Sequence, residues 1–103
     1  MSQKTIAGVQ VDVNEEGYLT NSSQWTKEIA LEIAKEEGLE LTDQHFAILD
    51  YLRGKQMKGE NLTIRSVGNS GIVDIKGFYG LFPGAPMKKA AKIAGIPKPA
   101  SCV

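Results

Sequence analysis

Cys102 is the single cysteine among 103 residues and stands next to the last position. A lone thiol has no intramolecular disulfide partner, and a site one residue from the end does not suit a core filler. Chain ends are usually poorly ordered unless tied down, so the sequence predicts an exposed sulfur on a mobile tail. A thiol that is exposed and able to move suits chemistry between molecules. The residues therefore point to a sulfur-handling carrier with Cys102 as its reactive atom. The thiolate is the working nucleophile, and basic neighbours lower a cysteine's pKa while nearby anions raise it. The α-carboxylate of Val103 is the adverse neighbour. Lys98 lies on the same tail, and Lys88, Lys89 and Lys92 share one face of the preceding helix through three- and four-residue spacing. From Ile96 to Cys102 the tail reaches roughly 20–25 Å at about 3.3–3.6 Å per residue, enough to enter a partner's active-site channel. The plain alternative is an incidental tail cysteine.

The remaining reactive types offer less. His45 is the only histidine, and it falls in the first turn of a helix, within Thr42-Asp43-Gln44-His45-Phe46. A structural or surface role is favoured over general-base work, because a Cys–His pair would need the tail to fold against that helix. One histidine and one cysteine are too few for a zinc site, so neither metal nor cofactor is expected. Gly68-Asn69-Ser70-Gly71 lacks the Lys-Ser or Lys-Thr that would make it a phosphate loop.

Size and composition bound the rest. The length fits one domain, with one small core and little room for a deep substrate cavity. Twelve basic residues balance twelve acidic ones, which argues against bulk electrostatic binding of nucleic acid and leaves only a local basic patch. Met1-Ser2-Gln3-Lys4-Thr5-Ile6 has no apolar stretch of the secretory kind, and no run is long and apolar enough to span a membrane. One unpaired cysteine beside three methionines suits a reducing cytoplasm.

The elements that must position these residues follow from pattern. Residues 5–19 read as a hairpin, with Ile6, Val9, Val11 and Val13 near a two-residue alternation, a turn at Asn14-Glu15-Glu16-Gly17, and Tyr18-Leu19 starting the return strand. Residues 22–37 read as an amphipathic helix carrying Trp25, Ile29 and Ile33, capped by Asn21 or Ser22 with Gln24 completing a capping box, and stopped at Gly38. A second helix spans about 43–57, capped by Thr42, with Asp43 in its first turn and Arg53, Lys55 and Lys58 towards its C-terminal end, as the helix dipole prefers. Leu62, Ile64 and Val67 belong either to a short helix capped near Asn61 or to a strand. Helices follow at 72–82 and 86–94, the latter opened by Pro86 and closed by Gly95. Residues 1–95 form the expected domain. Residues 96–103, with Pro97 and Pro99, form an extended, semi-rigid arm.

The last third of the chain resembles the DsrC/TusE family of sulfur-relay proteins, also called the sulfite reductase gamma-subunit family. The residues that carry the likeness are Phe78-Tyr79-Gly80-Leu81-Phe82-Pro83-Gly84-Ala85-Pro86, then Lys92-Ile93-Ala94-Gly95-Ile96-Pro97-Lys98-Pro99, then Cys102-Val103. Weaker likeness covers Val11-Asp12, Glu15, Gly17-Tyr18-Leu19, Trp25, the Glu37-Gly38 to His45 junction, and Arg65. The resemblance implies an α+β fold, with an N-terminal β-hairpin on a small, mainly orthogonal helical bundle and a flexible C-terminal arm. It implies that Cys102 accepts sulfane sulfur as a persulfide and hands it on. Arg65 and Lys88 match positions that are commonly basic in the family, and with Lys92 and Lys98 they are candidate contacts for an anionic sulfur species or a partner. Family members that work with dissimilatory sulfite reductase carry a second cysteine upstream of the terminal one, where this sequence has Ala91. The chain thus resembles the single-cysteine, TusE-like branch.

That branch implies an upstream multi-subunit sulfurtransferase of the TusBCD/DsrEFH kind, and a downstream acceptor such as a tRNA-thiolating enzyme or a sulfite reductase. One alternative is a non-catalytic partner or regulator of a sulfite reductase. Another is a DNA-binding helix-turn-helix protein formed by the helices at 22–37 and 43–57. The face that would read DNA offers Asp43, Gln44, Asp50 and Arg53 and is not electropositive, which argues against direct nucleic-acid binding.

Overall fold

In the computed structural model, residues 2–60 and 62–98 are described. Strands β1 (Ser2–Ile6) and β2 (Val9–Val13) pair antiparallel, Ser2 opposite Val13 and Ile6 opposite Val9. The turn between them is Ala7-Gly8, both with positive φ, 53° and 77°. This two-residue turn matches the right-handed twist of the flanking strands. The hairpin therefore turns earlier than its apolar alternation suggests. Ser2 to Thr5 are exposed, so β1 carries no buried stripe to announce it.

The Asn14–Gly17 turn also forms. Asn14 Oδ1 accepts from the amides of Glu16 and Tyr18 at 2.9 and 3.0 Å, and a bridge between Val13 and Leu19 follows. Val11, Val13, Tyr18 and Leu19 are buried there, so the turn brings the hairpin back onto the core.

The helix expected over 22–37 is two pieces. A 3₁₀ turn at Ser22–Gln24 ends at Trp25, whose backbone is extended, and α1 (Lys27–Glu36) starts afresh with Thr26 as its N-cap. Asn21 caps the 3₁₀ turn through Ser23 N. Gln24 does not close a capping box. Its Oε1 instead accepts from Asp12 N at 2.9 Å, tying the 3₁₀ turn to β2. The break follows from Trp25, whose indole is held by residues nearly seventy positions away.

Helix α2 (Asp43–Met57) has the boundaries its local signals specify, with Thr42 as N-cap. Leu62, Ile64 and Val67 resolve as helical: α3 (Ile64–Gly68) is capped by Thr63 and Ser66. Helix α4 (Ile75–Leu81) starts at Asp74, later than 72, because the Asp74 side chain accepts from Gly77 N at 2.6 Å. Helix α5 (Pro86–Ile93) opens with Pro86 in its first turn.

The helices assemble around α5. Helices α1 and α2 both pack against it, α3 packs on α4, and α1 takes the hairpin. Ala90, Ala91, Ile93 and Ala94 are fully buried, and small side chains let the neighbouring helices come close. Burial of apolar surface at about 25 cal/mol per Å² is the main favourable term. This is the α+β arrangement of hairpin and helices that the sequence predicts.

Helix α5 ends in a Schellman motif. Ile96 N donates to Ala91 O at 3.2 Å and Gly95 N to Lys92 O at 3.3 Å. Ile96, the first residue of the expected arm, is 1% exposed. The packed body thus extends one residue past Gly95. Residues 99–103, the last five of the expected arm, lie outside the described residues.

Candidate functional site

The amphipathic pattern of α5 sets the site. Its apolar residues face the core, which leaves Lys88, Lys89 and Lys92 half-buried on the other side. They line a groove of about 260 Å³ together with Glu16, Tyr18 and Glu37. Tyr18 Oη donates to Lys88 O at 3.2 Å and so fixes the hairpin turn against α5. Gly17, at φ 86°, leaves room for Lys92, since a Cβ there would lie 3.2 Å from Lys92 Cε. Lys92 Nζ stands 3.5 Å from Glu37. Lys98 Nζ donates to Glu16 at 3.0 Å. Lys88 and Lys89 make no ion pair among the described residues, so two ammonium groups face the groove uncompensated by a bound carboxylate.

A second cluster holds the C-terminal end of α5. Trp25 Nε1 donates to Ile93 O at 2.8 Å. Arg53 stacks on the Trp25 ring, its guanidinium carbon 4.3 Å from the centroid. Arg53 Nη1 donates to Ala94 O at 2.8 Å and Nη2 to Ser22 O at 3.1 Å. Desolvation by burial lowers the Arg53 pKa, and the charge of Asp50 partly offsets this. Helix ends leave their last carbonyls without intrahelical partners, and these two side chains supply donors. Arg53 therefore does not stand free on the exposed face of α2 with Asp43, Gln44 and Asp50, where the sequence pattern places it. Its guanidinium turns inward to backbone carbonyls that α2 cannot see in its own sequence.

Of the residues singled out from sequence, Lys88, Lys92 and Lys98 converge on the groove and its rim. Arg65 does not. It is exposed on α3, which packs on α4, and it does not line the groove. Cys102 lies outside the described residues. His45 is structural: it is 6% exposed, its Nδ1 accepts from Thr42 N at 3.1 Å, and its Nε2 donates to Leu81 O at 2.9 Å. This network assigns the tautomer with the proton on Nε2. Sequence reasoning missed Glu37 and Tyr18 as groove residues and Trp25 with Arg53 as a pair. No local signal marks them, because each acts on a residue distant in the chain.

Among the described residues, no group of three or more His, Cys, Asp or Glu is placed to hold a metal ion. No helix there is long and apolar enough to cross a membrane.

The arrangement has relatives. Sulfurtransferase TusE of Escherichia coli (strain K12) is 33% identical over 105 aligned positions, covering 93% of this chain and 95% of that protein. The NMR structure of Allochromatium vinosum DsrC matches with a TM-score of 0.81 and 35% identity, over 98% of this chain and 97% of that one. The crystal structure of the oxidised gamma-subunit of the dissimilatory sulfite reductase (DsrC) from Archaeoglobus fulgidus matches with a TM-score of 0.83 and 31% identity, over 99% of this chain and 100% of that one. The family model for DsrC-like proteins matches residues 5–103, which takes in β2, the lysine-lined groove and Cys102. With fold and sequence in agreement over nearly the whole length, this chain belongs to the family of DsrC-like proteins.

Proposed function

We propose that this protein is a sulfur carrier that takes up sulfane sulfur as a persulfide on Cys102 and passes it to an acceptor. The supporting observation is the position of Lys98. It is pinned to Glu16 at the rim of the lysine groove, and Cys102 follows four residues later. Four residues of chain span at most roughly 14 Å, a length that lets the sulfur reach back to the groove lysines.

The transfer balances without an added oxidant. The Cys102 thiolate attacks the outer sulfur of a donor persulfide, a new S–S bond forms on Cys102, the donor's S–S bond breaks, and the donor leaves as its thiolate. Cys102 then carries an anionic persulfide, a reversible cap on a reactive thiol. Groove ammonium groups favour that anion over its neutral, protonated form. Having one cysteine, the chain cannot release sulfur by closing a ring on itself. Release needs a nucleophile from the acceptor.

The sulfurtransferase and DsrC relatives support a relay with protein partners on both sides. The donor fits a multi-subunit sulfurtransferase. The acceptor fits a tRNA-thiolating enzyme or a sulfite reductase, and the cytoplasm is the compartment that keeps the thiol reduced. The missing thiol at Ala91, a fully buried position on α5, favours the one-cysteine relay over the two-thiol cycle.

Cold cyanolysis tests the reading. Cyanide removes the outer sulfur of a persulfide as thiocyanate and restores the thiolate. Loaded wild-type protein should yield about one thiocyanate per chain. Cys102→Ser should yield none, and an equal yield from that variant would end the proposal.

A further inference from the structure

We propose that Arg53 and Trp25 are positioning residues that fix where the Cys102-bearing segment leaves the domain. This rests on the carrier reading for its purpose, and on the described residues alone for its geometry.

The end of α5 is held by two side chains from other elements, one of which is itself tied to the Ser22–Gln24 turn. The Trp25 indole N–H takes Ile93 O. One Arg53 nitrogen takes Ala94 O and another takes Ser22 O. Gly95 then turns the chain at φ 69°, with its Cα face set against Trp25 so closely that a Cβ would lie 2.5 Å from Cδ1. Ile96 is buried directly after. A helix could end here with the Schellman bonds alone. The stacked cation and indole add donors from two other elements to consecutive carbonyls, and they do so only at the last turn before the exit. Arg53 suits this task because its planar fork spans two acceptors and stacks on a ring, which a lysine cannot do. Burial of the guanidinium carries a desolvation cost, so the three contacts must be held together for the arrangement to persist. Small angular changes at residue 95 are amplified along the segment that follows, and misplacement by about 1 Å can cost about a hundredfold in a positioned reaction.

Spin-label distance measurements test the geometry without any sulfur chemistry. One label goes on native Cys102 and the other on Glu32→Cys, an exposed position of α1. In Arg53→Met and in Trp25→Phe, the distance distribution should widen at least about 1.5-fold or shift its mean by several ångström. Trp25→Phe keeps an aromatic ring and removes the five-membered ring that carries the N–H; circular dichroism checks that both variants fold. Function is read with two donors. Uptake of sulfur from a protein persulfide should fall roughly 10-fold, whereas uptake from glutathione persulfide should stay within about twofold, and Arg53→Lys should restore only part of the loss. Unchanged distance distributions in both folded variants overturn the proposal, and so does an equal loss with both donors. If wild-type protein takes sulfur from neither donor, the carrier reading fails, and the distance measurement still decides the clamp.

Discussion

Lys98 and Glu16 are 82 positions apart in the sequence and meet through a 3.0 Å hydrogen-bonded ion pair. The contact joins the last described residue of the chain to the turn that follows the hairpin, at the rim of the groove. Both side chains keep substantial solvent exposure, 34% and 57%, so the pair directs the chain more than it stabilises the fold. Exposed ion pairs contribute about 0–1 kcal/mol. Glu16→Gln and Lys98→Met should each lower Tm by less than about 5 °C. A double-mutant cycle should give a coupling of about 0.2–1 kcal/mol that fades in roughly 1 M salt. A coupling of several kcal/mol, insensitive to salt, would contradict a surface pair.

The groove lysines act on charge. Replacing Lys88 and Lys89 together with methionine removes the two groove ammonium groups that make no ion pair among the described residues and keeps their apolar stems. Sulfur uptake from an anionic persulfide should slow roughly 3- to 10-fold at low ionic strength, and the difference should shrink as salt rises. Stopped-flow rates across a salt series check this. Rates equal to wild type at every salt concentration would remove the lysines from the mechanism.

His45 serves stability. It bridges the start of α2 to Leu81 O and stacks edge-on against Phe82, ring centroids 5.1 Å apart. His45→Ala leaves a buried carbonyl and an amide short of partners, at about 1–3 kcal/mol. For a chain of this size that is a fall in Tm of about 4–8 °C per kcal/mol. Alkylation of Cys102 by iodoacetamide should be unaffected. Lost sulfur uptake with an unaltered Tm would instead make His45 a functional residue.

Two glycines with the same backbone demand separate strain from contact. Gly59 and Gly95 have φ of 71° and 69°. A Cβ at Gly59 meets nothing within 4 Å, whereas one at Gly95 meets Trp25 at 2.5 Å. Both alanine variants carry a left-handed penalty of about 1–2 kcal/mol. Gly95→Ala should be less stable than Gly59→Ala by at least about 1 kcal/mol, because the indole must move. Urea unfolding of the pair checks it, and equal midpoints would refute the close contact.

What could be read from the sequence was what neighbours in the chain decide. Thr42, Asp43 and the basic residues after Leu52 are local signals, and α2 has the span they indicate. Pro86 and Gly95 bracket α5 in the same way. The 22–37 segment misled because its helical periodicity is real, but Trp25 is claimed by Ile93 O and Gly95, contacts no local window contains. Strand β1 was hidden because its residues before Ile6 are polar and exposed. At the site, spacing on one helix found Lys88 and Lys92. Arg65 looked equivalent by residue type and sits elsewhere, since α3 packs on α4 and not on the groove. The carboxylates Glu16 and Glu37 that complete the groove come from a turn and a helix end, placed there only by tertiary packing.

The most direct test of the carrier role is intact-protein mass spectrometry after incubation with a persulfide donor. Wild-type protein should gain an increment of about 32 Da, one sulfur, which disappears on reduction with dithiothreitol and maps to the peptide containing Cys102. Cys102→Ser should show no increment under the same conditions. An increment of equal size on that variant, or none on wild type, would contradict the account.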